Sequence, residues 1–520
     1  MVNEDNNKED KSLESWLWDA ACVIRGEKDA SKYKDYILPL VFVKRLCDVF
    51  DDEVNRIAAK FGNSKSKAIK LIEKSPKLVR FYLPLRAKDI EKDDTWSAIR
   101  TLTDKVGEKL TSIMRDIAKH NERIQGIIDR IDFNATTHGQ RDITEESLIK
   151  LIEKMSLKRL GLDDVEPDII GRSYEYLIRK FAEDSGQSAG EFYTPAEVGM
   201  IMARILDPEP GMEVYDPCCG SGGLLVKSQI ALQEKMGGKK GKYAPLALYG
   251  QEYTAPTWAM ANMNMVIHDM EGKIEIGDTM KNPRFKSGSK LKPFDLVMTN
   301  PMWNQKSFEQ NDYENDELER FNAGIPPTSS ADWGWMQHIF ASLKDDGRAA
   351  VVLDTGAVSR GSGNAGNNKE KEIRKWYVDN DFIESVLYLP ENLFYNTTAP
   401  GVVVFVNKIK SKDRKNKVLL VNASLEFEKG DPKNFIPEAN QKKIVDVFLK
   451  WKETAKFSKV VTKDEIIKND YNISPSRYIH TAEAEEYRPI GEIVSELNEL
   501  DVESKIIDKD LKDILKKLGY

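Results

Sequence analysis

From residue 12 to about 183, apolar positions recur at helical spacing. In "SLESWLWDAACVIRG", Leu13, Trp16, Leu17, Ala20 and Ile24 share one face. The same period runs through "YILPLVFVKRLCDVFDDEVNRIA", beyond Pro39, and returns in "TWSAIRTLTDKVGEKLTSIMRDI" and "TEESLIKLIEKMSLKRL". An α-helical N-terminal domain is therefore expected over 12–183, after a short disordered tail at 1–11. The small polar run "EDSGQSAG", 183–190, ends the pattern as a linker does.

Beyond it the texture changes to short apolar runs separated by helical stretches. The runs are "MEVYD" (212–216), "LALYGQE" (246–252), "KIEIGD" (273–278), "FDLVMTN" (294–300), "RAAVVLD" (348–354), "FIESVLYL" (382–389) and "GVVVFVNK" (401–408). That alternation predicts an α/β fold, a doubly wound and mostly parallel sheet of seven strands in a domain spanning 184–410. "PENLFYNTTAP" is too short to hold a crossover helix, so the last strand is expected to be antiparallel. Residues 411–480 turn polar and lysine-rich and read as the C-terminal part of this domain and a connector, with "NISPSRYI" at 472–479. A helical tail, 481–520, has too little apolar content for a core of its own and is expected to dock on the body or on a partner.

Composition narrows the class. No apolar run approaches the ~18 residues that a membrane helix needs. The start "MVNEDNNKEDK" lacks the apolar centre of a signal peptide, so a cytoplasmic protein is expected. Four cysteines in 520 residues make no disulfide framework, and Cys218 and Cys219 have no nearby Cys or His to complete a zinc set. The five histidines show no ligand spacing, so no metal is expected. Net charge is −7. A protein of that charge that acts on nucleic acid needs a local basic face or a partner to hold the phosphates.

Candidate chemistry gathers at strand ends. "VYDPCCGSGGLLVKS", 214–228, ends a strand at Asp216, turns through Gly220, Ser221, Gly222 and Gly223, and starts a helix whose first N–H groups suit an anionic or polar ligand. The next strand ends in Glu252, an acceptor for two ribose hydroxyls; the third ends near Asp278, an acceptor for an adenine amino group. The fourth ends in Asn300-Pro301-Met302-Trp303. A single acid at a strand tip is commonly a helix cap, but four polar tips on the carboxyl edge of one sheet mark a ligand site. Upstream, "GEFYTPAEVGMIMARIL" offers Thr194 as cap of a helix beginning at Pro195, with Glu197 closing a capping box. Glu191, Phe192 and Tyr193 are not needed for capping; aromatics at a helix start suit an amino-acid-like cofactor carrying a sulfonium. No phosphate loop of the GxxxxGK[ST] kind and no nucleophile elbow is present.

"EFYTP", "DPCCGSGG", "GQE" and "TNPMW", in this order, resemble the S-adenosylmethionine-dependent adenine-N6 DNA methyltransferases, most of all the modification subunit of Type I restriction–modification systems. The resemblance spans nearly the whole chain. It implies a Rossmann-like methyltransferase sheet that binds S-adenosylmethionine through Glu191, Phe192, Tyr193, Thr194, Pro195, Asp216, Gly220, Ser221, Gly222, Gly223, Glu252 and Asp278. It implies catalysis by Asn300 and Pro301, whose carbonyl oxygens would accept the N6 hydrogens of an everted adenine, and by Trp303, which would stack on that base. It also implies double-stranded DNA as substrate, a specificity subunit joined by two copies of this chain, an optional restriction subunit, and a prokaryotic host. Where the family usually has Pro, this chain has Met302, which leaves the Pro301 carbonyl less fixed. Two other readings fit the Asn-Pro-x-aromatic pattern: a methyltransferase of RNA or of a protein amide, and a scaffold subunit that binds cofactor but turns over poorly. The loop "VSRGSGNAGNNKE", 358–370, is expected to be mobile, either near DNA or without a role.

Overall fold

A computed structural model of the chain describes residues 13–23, 30–165, 176–177, 180, 194–238, 242–303, 305–306, 308–364, 366, 368–394, 397–430, 433–481 and 490–517. The chain forms two units, 1–479 and 480–520.

The first unit opens with helices α1 (Leu13–Cys22), α2 (Ala30–Ala58), α3 (Lys65–Lys74), α4 (Val106–Lys119) and α5 (Glu145–Met155). The helical period puts Trp16, Leu17, Leu40, Phe42, Leu110, Met114, Leu148 and Leu151 into one core. Thr144 caps α5 by accepting from Ser147 N at 3.2 Å. Pro39 lies inside α2 without ending it.

The remainder of this unit alternates helix and strand: α6 (Ala196–Leu206), β1 (Glu213–Asp216), α7 (Gly223–Lys235), β2 (Ala247–Glu252), α8 (Ala255–Ile267), β3 (Gly272–Ile276) and β4 (Phe294–Thr299). It continues with α9 (Asp332–Ala341), β5 (Leu343–Asp354), α10 (Lys369–Asp379), β6 (Ile383–Tyr388) and β7 (Gly401–Asn407). Then come β8 (Lys417–Asn422), α11 (Glu438–Leu449) and β9 (Ser458–Thr462). The sheet order is β9-β8-β6-β7-β5-β4-β1-β2-β3. Strand β7 runs antiparallel between β5 and β6, with Val403 opposite Val352 and Val404 opposite Val386. The seven expected strands are all present. Two more, β8 and β9, extend the sheet within the stretch read from sequence as a polar connector. They are short, and lysine-rich text before β8 hides the five buried residues Val418–Asn422.

Strand residues alternate between two apolar layers, as in a sheet covered on both faces. Val214, Leu296, Met298, Val352 and Val403 pack towards α6, α7 and α11. Tyr215, Val297, Val351, Val386 and Val404 pack towards α9 and α10. Helix α8 belongs to two cores. Ala259, Met260, Met263 and Ile267 join the core of the N-terminal helices. Ala261 and Met265 join the sheet layer.

The loop after β5 is anchored in its described part, against the expectation of mobility. Arg374 is fully buried and donates to the carbonyls of Tyr471 (2.7 Å) and Arg360 (3.0 Å) and to Ser362 Oγ (2.8 Å). Arg360 in turn pairs with Asp332, Asp354 and Glu370. Gly363 N donates to Asp470 at 2.8 Å.

The second unit is described as one helix, α12 (Ile490–Lys517). Leu497, Leu500, Ile507, Leu511 and Ile514 repeat along it at heptad spacing and are all more than half exposed. Among the described residues no helix is long and apolar enough to cross a membrane.

Candidate active site

The carboxyl ends of β1, β2, β3 and β4 meet at one edge of the sheet, because all four strands run parallel and adjacent. Asp216, at the tip of β1, is 1% exposed. Its Oδ1 accepts from Thr299 Oγ1 at 2.6 Å and from Cys218 N at 3.2 Å. Burial outweighs these bonds and pushes its pKa up to about 7. Cys218 Sγ lies 3.0 Å from Thr299 Oγ1, so β1 and β4 are tied side chain to side chain just before Asn300. Burial also pushes both thiols, Cys218 and Cys219, well above their ordinary pKa, so neither is a ready nucleophile.

The glycine turn is held from both sides. Cys219 N donates to the Gln251 carbonyl at 2.9 Å, and Gly220 N to Glu252 Oε2 at 3.1 Å. Asn264 Nδ2 of α8 donates to the Ser221 carbonyl at 3.1 Å. Gly222 has φ +79° and is the N-cap of α7; a Cβ there would lie 2.8 Å from Met265 Cε. Its glycine is demanded by the left-handed φ. Its N–H is used within the turn, donating to the Cys219 carbonyl at 2.8 Å, and is not open to a ligand as the sequence suggested. Gly220 differs. Its φ is +53° and a Cβ would meet nothing within 4 Å, so the turn faces open space there. Gly223 starts α7.

Glu252 is half-buried at the tip of β2. Oε1 accepts from Thr254 N at 2.9 Å. Tyr253 beside it is 71% exposed. Asp278 caps its own loop: Oδ1 accepts from Met280 N (2.9 Å) and Lys281 N (3.0 Å), leaving Oδ2 without a bond among the described residues. Sequence reasoning missed what holds this loop. Gln251 is fully buried; its Nε2 donates to the carbonyls of Gly277 (3.1 Å) and Asn282 (3.2 Å), and its Oε1 accepts from Arg284 N (2.9 Å). Arg320, buried and paired with Asp316 at 2.7 Å, adds a donor to the Met280 carbonyl at 2.7 Å.

Asn300 stands half-buried after β4 with its amide oriented at both ends. Nδ2 donates to Thr194 Oγ1 at 2.9 Å, and Oδ1 accepts from Trp303 Nε1 at 3.0 Å. An indole N–H only donates, so the atom facing it is the oxygen. Among the described residues nothing donates to the buried Pro301 carbonyl. Thr194 therefore serves Asn300 and not the helix. The expected cap moves by one residue, since α6 starts at Ala196 with Pro195 as its N-cap and no side-chain bond there. Trp303 also departs from expectation. It is 5% exposed, its ring set at 63° against Phe394 with centroids 4.6 Å apart. A Cβ on Gly401 would lie 2.7 Å from it, so only glycine at the start of β7 admits the indole. In this conformation the ring is not open as a stacking platform. Glu191, Phe192 and Tyr193 lie outside the described residues.

The edge thus joins Thr194, Asp216, the Gly220 turn, Glu252, Asp278, Asn300 and Pro301. The family profile of N-6 DNA Methylase matches residues 165–487 of the chain, and that of the HsdM N-terminal domain matches 13–155. The chain belongs to the N-6 DNA methylase family. An N-6 DNA methylase transfers methyl to N6 of adenine in DNA, and S-adenosylmethionine-dependent chemistry defines the class. This methylase is 33% identical to the Type I restriction enzyme MjaVII methylase subunit of Methanocaldococcus jannaschii, over 94% of this chain and 81% of that one. It is 28% identical to the Type I restriction enzyme MpnII methylase subunit of Mycoplasma pneumoniae, over 96% of each. The crystal structure of the methyltransferase subunit of a type I restriction-modification system from Streptococcus thermophilus superposes with a TM-score of 0.74 at 27% identity, over 90% of this chain and 99% of that one. The methylase is thus a DNA methyltransferase modification subunit of the Type I kind.

Burial of Asp216 in this methylase sets a pH dependence. Below about pH 4 folded and unfolded chains both hold its proton; between there and about 7 only the folded chain does. The stability this group contributes is therefore full at low pH and is lost as pH rises towards 7. Asp216→Asn keeps the acceptor for Thr299 and removes that loss. The thermal midpoint of the wild type should fall more between pH 4.5 and 7.5 than that of the variant; parallel curves would show that Asp216 ionises as freely in the fold as outside it.

Proposed function

We propose that this edge holds S-adenosylmethionine and an everted adenine of double-stranded DNA on opposite sides of Asn300. When bound, the cofactor supplies an electrophilic methyl on a sulfonium. The Gly220 turn, open where a side chain would stand, gives the methionine end room to approach backbone. The carboxylates of Glu252 and Asp278 are the acceptors for ribose hydroxyls and an adenine amino group, and Tyr253 has an exposed ring beside them. The side-chain oxygen of Asn300 and the carbonyl of Pro301 would accept the two N6–H bonds, which would draw the nitrogen lone pair out of conjugation and towards the methyl group. The observation that carries this reading is the amide of Asn300, fixed from one side by Thr194 and from the other by Trp303. A base stacking on Trp303 must first part it from Phe394. Methylation assays on duplex DNA, transfer RNA and protein test the substrate; transfer to either of the latter two, without transfer to DNA, overturns the reading.

We further propose that α12 docks on a specificity subunit, with two copies of this chain per specificity subunit and a restriction subunit optional. Its apolar heptad positions are flanked by Glu496, Asp501, Glu503 and Asp508. Like charges at such flanks oppose pairing of α12 with its own copy and favour a basic partner helix. Deleting residues 485–520 should abolish co-purification of the specificity subunit while the remaining chain stays folded. Undiminished assembly by native mass measurement refutes this contact, and a mass with any other ratio refutes the stoichiometry.

A further inference from the structure

The acidic net charge leaves open how this chain meets a polyanion, and α3 gives an answer. Residues 56–80 contain eight Lys or Arg and one Glu, a net +7; the rest of the chain, at −7 overall, therefore carries −14. The one acid, Glu73, is paired with Arg86 outside the segment at 2.7 Å. Ala68 and Ile72 bury one side of α3 in the N-terminal core. Lys67, Lys70 and Lys74 are exposed and fall on the opposite side, at i, i+3 and i+7. Lys60 and Lys77 are exposed just beyond the two ends of α3. None of these five lysines forms an ion pair among the described residues, whereas exposed Lys442 on α11 and Lys450 just past its end have Glu438 and Asp446 within 3.5 and 2.7 Å. The helix is fixed in place: Glu91 accepts from Lys65 N and Ser66 N, each at 3.0 Å, at its first turn.

We propose that the Lys67–Lys70–Lys74 face of α3 is a contact surface for the phosphate backbone of the DNA substrate. This rests on the reading that DNA is the substrate. A run of lysines on a helix is ordinarily just a solvated face; here the absence of acid partners, in a chain that is acidic elsewhere, separates it from that case. From Lys67 to Lys74 the helix rises about 10.5 Å, matching about three phosphates of one strand at ~3.4 Å of axis each. Such a contact carries no sequence preference: it sets register and adds affinity, and base reading falls to other parts of the complex.

The test uses the complex isolated from its own cells on a tag fused to this chain, and a 30-base-pair duplex. Lys67→Ala, Lys70→Ala and Lys74→Ala are combined; exposed lysines on a helix exchange for alanine without loss of fold. The control combines Lys442→Ala, Lys450→Ala and Lys456→Ala. Losing three phosphate contacts should reduce the slope of log affinity against log salt by about 2.7, so that the wild type's advantage over the variant shrinks by about 40-fold from 50 to 200 mM salt. The KM for DNA should rise at low salt with kcat and the KM for S-adenosylmethionine unchanged, and the control should match wild type. An unchanged slope and KM for DNA in the α3 variant overturns the proposal. So does an unchanged slope accompanied by loss of a protein from the complex, which would make this face a protein contact. If the wild-type complex methylates no duplex at all, the substrate reading itself fails first.

Discussion

Asn300→Ala is expected to lower kcat for adenine methylation by about 10²–10³-fold, with affinity for S-adenosylmethionine within two-fold of wild type. The alanine removes the acceptor whose direction Thr194 and Trp303 enforce, while the Gly220 turn, Glu252 and Asp278 keep their own bonds. It also leaves the buried Trp303 N–H without that partner, at a cost of about 1–3 kcal/mol, so a lower thermal midpoint should accompany the lost activity. Single-turnover kinetics at saturating cofactor and DNA separate the two effects. In cells, long-read sequencing with the variant as sole copy should find no N6-methyladenine at the modified sites; persistence of the mark removes Asn300 from catalysis.

Gln251→Leu is the second large effect, and it should act on the cofactor and not on the methyl transfer. One side chain satisfies three main-chain groups of the 277–284 loop, and its own carbonyl receives Cys219 N from the glycine turn. Leucine fills similar space and satisfies none of the three. Each group left unpaired costs about 1–3 kcal/mol, enough together to release the loop that presents Asp278. The KM for S-adenosylmethionine should rise by at least ten-fold, with kcat at saturation and the KM for DNA little changed. Calorimetric titration of the cofactor checks this. Wild-type affinity in a folded variant would show that the loop holds its shape without Gln251.

Both variants probe bonds that a linear reading does not display. Strand positions were legible because runs such as 294–299 and 401–407 are apolar and end in polar tips, and a two-sided sheet leaves that mark in any sequence. Asp216, Glu252, Asp278 and Asn300 were legible for the same reason, as polar residues closing apolar runs. What was hidden is non-local. The packing of Trp303 depends on Phe394 and on the missing side chain of Gly401, about 100 residues downstream. Thr194 looked like a cap because nothing nearby in sequence shows that Asn300, 106 residues on, competes for its hydroxyl. Gln251 drew notice only as the neighbour of an acid, since a staple is recognised by what it holds. Strands β8 and β9 were lost against lysine-rich surroundings.

Helix α8 has a consequence for how such proteins can be recombined. One of its faces completes the N-terminal core through Met260, Met263 and Ile267, while Met265 presses beneath Gly222. A chimaera that joins the first 190 residues of one homologue to the remainder of another would inherit a helix matched to the wrong neighbour, and the misfit would reach the glycine turn directly. Functional hybrids should arise only where the α8 residues travel with the N-terminal half, so exchange of these segments in nature is constrained by one shared helix and not by the linker that separates them in sequence.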